Sequence, residues 1–99
     1  MSILTKETLE AGLREAACIA AGFKPGEAEL ADAPLLTGWA VEPLFDGLVR
    51  LVGQVRSHPL IPDGWITTSP LLAADERAGW ARTVSRYYRL GPRLGEAVQ

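Results

Sequence analysis

Residues 79–91 read GWARTVSRYYRLG, and the fold turns on whether they run as a strand or as a helix. Trp80, Val84, Tyr88 and Leu90 stand at even positions, with Thr83, Ser85, Tyr87 and Arg89 on the other side. That period of two, in a run rich in Thr, Val, Tyr and Trp, predicts a strand over Trp80–Leu90. A helix is the rival reading. Asp75 stands where a cap would, Gly91-Pro92 is a stop signal, and Arg82, Arg86, Arg89 and Arg93 would share a helical face. Periodicity does not separate the two, and side-chain propensity favours the strand.

The preceding segments point the same way. Residues 75–79 carry turn chemistry, and Trp65–Ala73 reads as a strand. Residues 57–64, SHPLIPDG, hold two prolines and an Asp-Gly signal and form a loop. Before them, Val49, Leu51 and Val55 alternate with Arg50, Gln54 and Arg56, the pattern of a half-buried strand. Residues 48–91 are thus expected to form a small antiparallel three-stranded β-meander.

The N-terminal half opens on a helix. Thr5 suits the N-cap, Leu4 and Leu9 have the spacing of a hydrophobic staple, and Glu7 and Glu10 lie near the positive end of the helix dipole. Leu9, Leu13, Ala16, Ala17 and Ala20 form the expected packing face, and Cys18 is expected to be a buried, inert thiol. Gly22 and Pro25-Gly26 end the helix. Residues 27–33 suit a short second helix. Residues 35–47 read as an irregular connector pinned by Trp39, Leu44 and Phe45, and Gly91, Pro92 and Gly95 predict a frayed tail. The expected fold class is α+β, with the N-terminal helix and the short second helix packed on the meander. The chain is a single domain of 99 residues, divided into 1–26, 27–47, 48–91 and 92–99.

Composition narrows the function classes. The chain is 47% hydrophobic and 22% charged with a single Cys, which suits a globular domain without an internal disulfide. The longest uncharged apolar stretch is about half the ~20 residues of a membrane-spanning helix. Lys6 is followed at once by Glu7, unlike the order of a signal peptide. A cytoplasmic protein without membrane partners is expected. Residues 1–46 carry a net charge of −5 and residues 47–99 of +3. This polarity orients charged encounters and favours head-to-tail self-association, so a homo-oligomer is among the expected partnerships.

Three stretches also resemble a known pattern: G-x-V-x-x-H-P-x-x-P-D-G over 53–64, I-T-T-S-P-L over 66–71, and the quoted 79–91 segment. The earlier A-P-L-L-x-x-W over 33–39 is similar to it as well. They resemble an uncharacterised family, a domain of unknown function, of roughly hundred-residue proteins from alphaproteobacterial chromosomes, plasmids and prophages. The resemblance implies no activity and no catalytic residue. It implies tolerance of turn variation between the last two segments, and a regulatory or accessory role tied to mobile elements.

The residues themselves give little chemistry. No metal-ligand spacing, phosphate loop or nucleophile–base pattern is present, and no cofactor or metal is expected. His58, the single histidine, reads as a loop residue held extended by Pro59. What remains is a basic aromatic hairpin bearing Arg82, Arg86, Tyr87, Tyr88 and Arg89. Arg presents a fixed fork of donors to carboxylate or phosphate, and Tyr supplies rigid area with a polar tip. Two uses compete. One is a non-enzymatic regulatory protein that binds a protein partner through this face. The other is a nucleic-acid-binding regulator that stacks bases on the same rings. A third account makes Trp80 and one tyrosine core residues, with the arginines neutralising the acidic helix.

Overall fold

Three strands in an open sheet leave two unpaired edges, and this chain closes them with two strands that its sequence disguises. The computed structural model describes residues 5–95; Leu4 of the expected staple and residues 96–99 of the expected tail lie outside them. Helices α1 (Lys6–Ala20) and α2 (Glu27–Ala31) precede strands β1 (Leu35–Pro43), β2 (Val49–Arg56), β3 (Gly64–Asp75), β4 (Trp80–Thr83) and β5 (Tyr87–Leu90). The strands form a closed barrel in chain order. Sequential neighbours are antiparallel, and β1 pairs with β5 in parallel. The expected three-stranded meander is therefore corrected to a five-stranded mixed barrel, for two reasons.

First, residues 35–43 are a strand and not a connector. Gly38 has φ 55°, and the β1–β2 register shifts between Thr37 and Ala40. The bulge lets Leu36 and Trp39, three residues apart, both enter the core, at 0% and 4% exposure. That spacing hides a period of two. Second, the segment 80–90 is two strands. Trp80 pairs with Arg89, Ala81 with Tyr88 and Arg82 with Tyr87. The Thr83 N–H donates to the Arg86 carbonyl at 2.9 Å, and the Val84 N–H to the Pro70 carbonyl at 2.9 Å. The turn at 84–86 converts one long strand into a hairpin, and the rival helix does not form.

Closure continues past β5. The Gly91 N–H donates to the Leu36 carbonyl, the Gly38 N–H to the Pro92 carbonyl and the Leu94 N–H to the Trp39 carbonyl, each at 2.8 Å. The indole Nε1–H of Trp39 donates to the Gly91 carbonyl at 2.8 Å. Residues 91–95, read as part of a frayed tail, are instead tied to β1.

The barrel core is Leu36, Trp39, Leu51, Val55, Ala81 and Tyr88, with Ile61, Ile66, Leu71 and Leu90 packed against it. Helix α1 forms as expected, with the Thr5 side chain accepting from the Thr8 N–H at 3.0 Å. It lies against β3 and β4, but not by the expected face. Gly12 is its buried residue, and Thr8, Glu15, Ala16 and Ile19 are half-buried beside it. Leu9 and Leu13 remain 42% and 52% exposed, and Cys18 is exposed as well. The cause is local. A Cβ on Gly12 would lie 2.6 Å from the Val84 carbonyl oxygen, so the helix approaches the barrel along the one position that lacks a side chain.

Candidate binding site

The Arg/Tyr hairpin does not present one face. Along a strand, successive side chains point to opposite sides, and the five singled-out residues divide accordingly. Tyr87, Arg82 and Arg89 lie on the outer, helix-covered side. The Tyr87 hydroxyl donates to Glu15 Oε2 on α1 at 2.6 Å, and its ring meets Trp80 edge-on at 6.0 Å. The Arg82 guanidinium lies 5.1 Å over the Tyr87 ring, and its Nη2 donates to the Val84 carbonyl at 3.4 Å. The Arg82 Nε is buried without a partner. Arg89 Nε donates to the Ala33 carbonyl at 2.8 Å, anchoring the segment after α2. Burial and then the Glu15 carboxylate raise the Tyr87 pKa. Tyr87 and Arg89 tie the helical part to the barrel, and Arg82 braces the hairpin itself.

Arg86 and Tyr88 go the other way. They meet His58, Leu60 and Ile61 of the 57–63 loop, residues 66–69 of β3, Ser85 and Thr8 around a cavity of about 680 Å³. Its wall is part apolar and part hydroxyl-bearing, and among the described residues no carboxylate lines it. A shallower depression beside Phe23 is bordered instead by charges of both signs, Lys24 and Arg77 against Asp75 and Glu76. Of these two, the first has a single sign of charge among its described lining residues.

Its polar groups are positioned by strand and turn chemistry. The Ser57 N–H donates to Asp63 Oδ1 at 3.1 Å, pinning the loop across its base. His58 Nδ1 then accepts the Leu60 N–H at 3.0 Å, which places the neutral ring's proton on Nε2. Burial, and then the Arg86 charge, lower the His58 pKa. The Tyr88 ring lies 6.2 Å from the His58 ring, centroid to centroid. Tyr88 is 4% exposed; burial raises its pKa, and Arg86 opposes that shift. Ser69 Oγ and Ser85 Oγ are 3.0 Å apart, and Ser69 Oγ also accepts the Ser85 N–H at 3.2 Å. Thr68 is structural. It is buried, accepts the Leu51 N–H at 3.0 Å and donates to the Ser69 carbonyl at 2.8 Å.

Of the predicted face, Arg86 and Tyr88 thus share a site, and Arg82, Tyr87 and Arg89 do not reach it. His58, read from the sequence as a loop residue, joins it, and so do Ser69 and Ser85, which were not singled out. The trace of Ser69 in the sequence is the polar run Thr67-Thr68-Ser69 interrupting the apolar pattern of β3. Among the described residues, no group of three or more His, Cys, Asp or Glu is placed to hold a metal ion. No helix among them is long and apolar enough to cross a membrane.

The chain matches the family described as "Family of unknown function (DUF6634)" over residues 1–98. No curated protein and no solved structure matches it.

Proposed function

Since the chain belongs to DUF6634, a family of unknown function, we propose its role from its own residues: a small non-enzymatic protein that binds a protein partner at the Arg86 mouth of the barrel. The observation that carries this reading is the state of Arg86. Among the described residues its guanidinium has no hydrogen bond or ion pair, and it stands at a cavity without an acid. A half-buried cation without a counter-charge is a ready recognition group. Binding suits the site better than catalysis. His58 Nδ1 is taken by a backbone N–H, and the Ser69 and Ser85 hydroxyls bond to each other and not to a base.

The nucleic-acid reading loses its support in the same geometry. Tyr87 is tied down to α1 and Tyr88 is buried, so the hairpin offers no stacking platform of the kind single strands use.

Affinity capture from the native host, with nuclease treatment, tests the role. A protein retained after nuclease by the wild type and lost with Arg86→Ala, folded by circular dichroism, is the expected result. Equal capture by both proteins, or recovery of nucleic acid alone, would overturn it.

A further inference from the structure

We infer that the barrel-mouth cavity recognises a carboxylate carried on an apolar group, with Arg86, Tyr88, His58 and the Ser69–Ser85 pair as its donors. The inference rests on the cavity being the binding site and adds the chemistry of what enters it.

The argument is a balance of donors and acceptors. Arg86 brings up to five N–H donors, and no acceptor among the described residues takes them. Tyr88 is 4% exposed, yet its hydroxyl bonds to no described residue. It is not among the atoms sealed from solvent, so it opens into the cavity that its ring lines. Open to the cavity and unbonded within the described residues, this hydroxyl retains capacity for an acceptor from outside the chain. His58 adds its Nε2–H, because Nδ1 is already an acceptor. The serine pair adds one more donor in either arrangement. If Ser69 donates to Ser85, the Ser85 proton is left over; if Ser85 donates, the Ser69 proton is.

The hydroxyl oxygens keep lone pairs of their own, but the surplus is weighted to donors, with one full positive charge and no carboxylate among the described residues of the wall. The Arg86 charge disfavours a cationic ligand. One guanidinium beside a neutral imidazole matches a monoanion better than the dianion of a phosphate monoester, which calls for more cations or a cluster of backbone N–H groups. Leu60, Ile61 and Ile66 form the apolar part of the wall beside Thr8, Thr67 and Thr68, so an apolar group bearing the anion gains from burial against them. A cavity of about 680 Å³ accommodates far more than a bare carboxylate. Two sources share this chemistry: the C-terminus of a polypeptide ending in an apolar residue, and a free apolar acid.

Titration by calorimetry, with amide-proton NMR to locate binding, tests the inference. The probes are N-acetyl-leucyl-leucine, the same dipeptide with a C-terminal amide, octanoate and inorganic phosphate. The expected result is binding of at least one free acid, shifting resonances of residues 58–61 and 85–88. The amide should bind tenfold or more weaker than the dipeptide acid where the polypeptide source applies. Octanoate binding with no response to the dipeptide would support the inference and assign the free-acid source. Arg86→Gln should weaken the bound acid about tenfold or more, and Tyr88→Phe severalfold with the fold intact. The inference is overturned if amide and acid bind equally, if phosphate is the preferred probe, or if no acid binds. Partner capture that depends on Arg86, found together with no acid binding, would overturn the carboxylate alone and leave the binding role standing.

Discussion

The Tyr87 hydroxyl donates to the Glu15 carboxylate at 2.6 Å across 72 residues of sequence, joining the acidic half of the chain to its arginine-rich half. A hydrogen bond to a charged group contributes about 1.5–3 kcal/mol in favourable settings. Glu15 is half-buried, so the lower part of that range applies. Tyr87→Phe keeps the ring against Trp80 and removes only the donor. It should destabilise the protein by about 1–2 kcal/mol, read as a fall in the urea midpoint. An unchanged midpoint would show that the contact contributes nothing.

Gly12→Ala should also destabilise, against the usual direction. In an exposed helix interior the change would gain about 1 kcal/mol. Here the new Cβ would stand 2.6 Å from a backbone oxygen of Val84, which cannot rotate away. Lifting α1 off β4 should outweigh the propensity gain and give a net loss of about 1–3 kcal/mol, typical of overpacking. Because both changes act through the docking of α1, combining Gly12→Ala with Tyr87→Phe should cost less than the two separate losses together. Thermal unfolding of the four proteins measures this.

Thr68→Val is nearly the same shape but removes a hydroxyl that serves both the Leu51 N–H and the Ser69 carbonyl. Leaving a buried N–H without an acceptor costs about 1–3 kcal/mol. The β2–β3 register shifts between Arg50 and Val52, so the loss should localise there as faster amide exchange at Leu51. Exchange at Leu51 as slow as in the wild type would refute this role.

His58 should make stability depend on pH in one direction. Its folded-state pKa lies below 6.5 because of burial and the nearby Arg86 charge. Above pH 6.5 both folded and unfolded chains hold it neutral, and it contributes no pH dependence. Below 6.5 the unfolded chain takes up the proton first, so stability falls with pH until the folded His58 also titrates. His58→Asn keeps an acceptor for the Leu60 N–H and removes the titration. Its urea midpoint should fall less than the wild-type midpoint between pH 7 and 5.5.

Some of the architecture was legible along the chain, because its causes are local. Thr5 caps α1 through a neighbour three residues away. The alternation in 49–56 became β2. Asp75 forms the expected turn, its Oδ1 accepting the Ala78 N–H at 3.0 Å. Capping and turn formation involve groups a few bonds apart, so the residue types suffice to indicate them. The expectation of an uncharacterised family of unknown function agrees with the family match over residues 1–98.

The remainder depended on contacts between distant parts of the chain. Two residues on α1, Gly12 and Glu15, set which helix face packs, and their partners, Val84 and Tyr87, lie on the hairpin. The hydrophobicity of Leu9 and Leu13 carried no information about either. Closure depended on the Gly38 bulge and on residues 91–94 returning to β1. The hairpin turn at 84–86 then sent Arg86 and Tyr88 toward His58 and left Arg82, Tyr87 and Arg89 on the other side. Side-chain alternation divides a strand into two faces, but which face meets a helix and which a cavity is fixed only when the barrel closes, because burial is a property of the assembled neighbours and not of the residue.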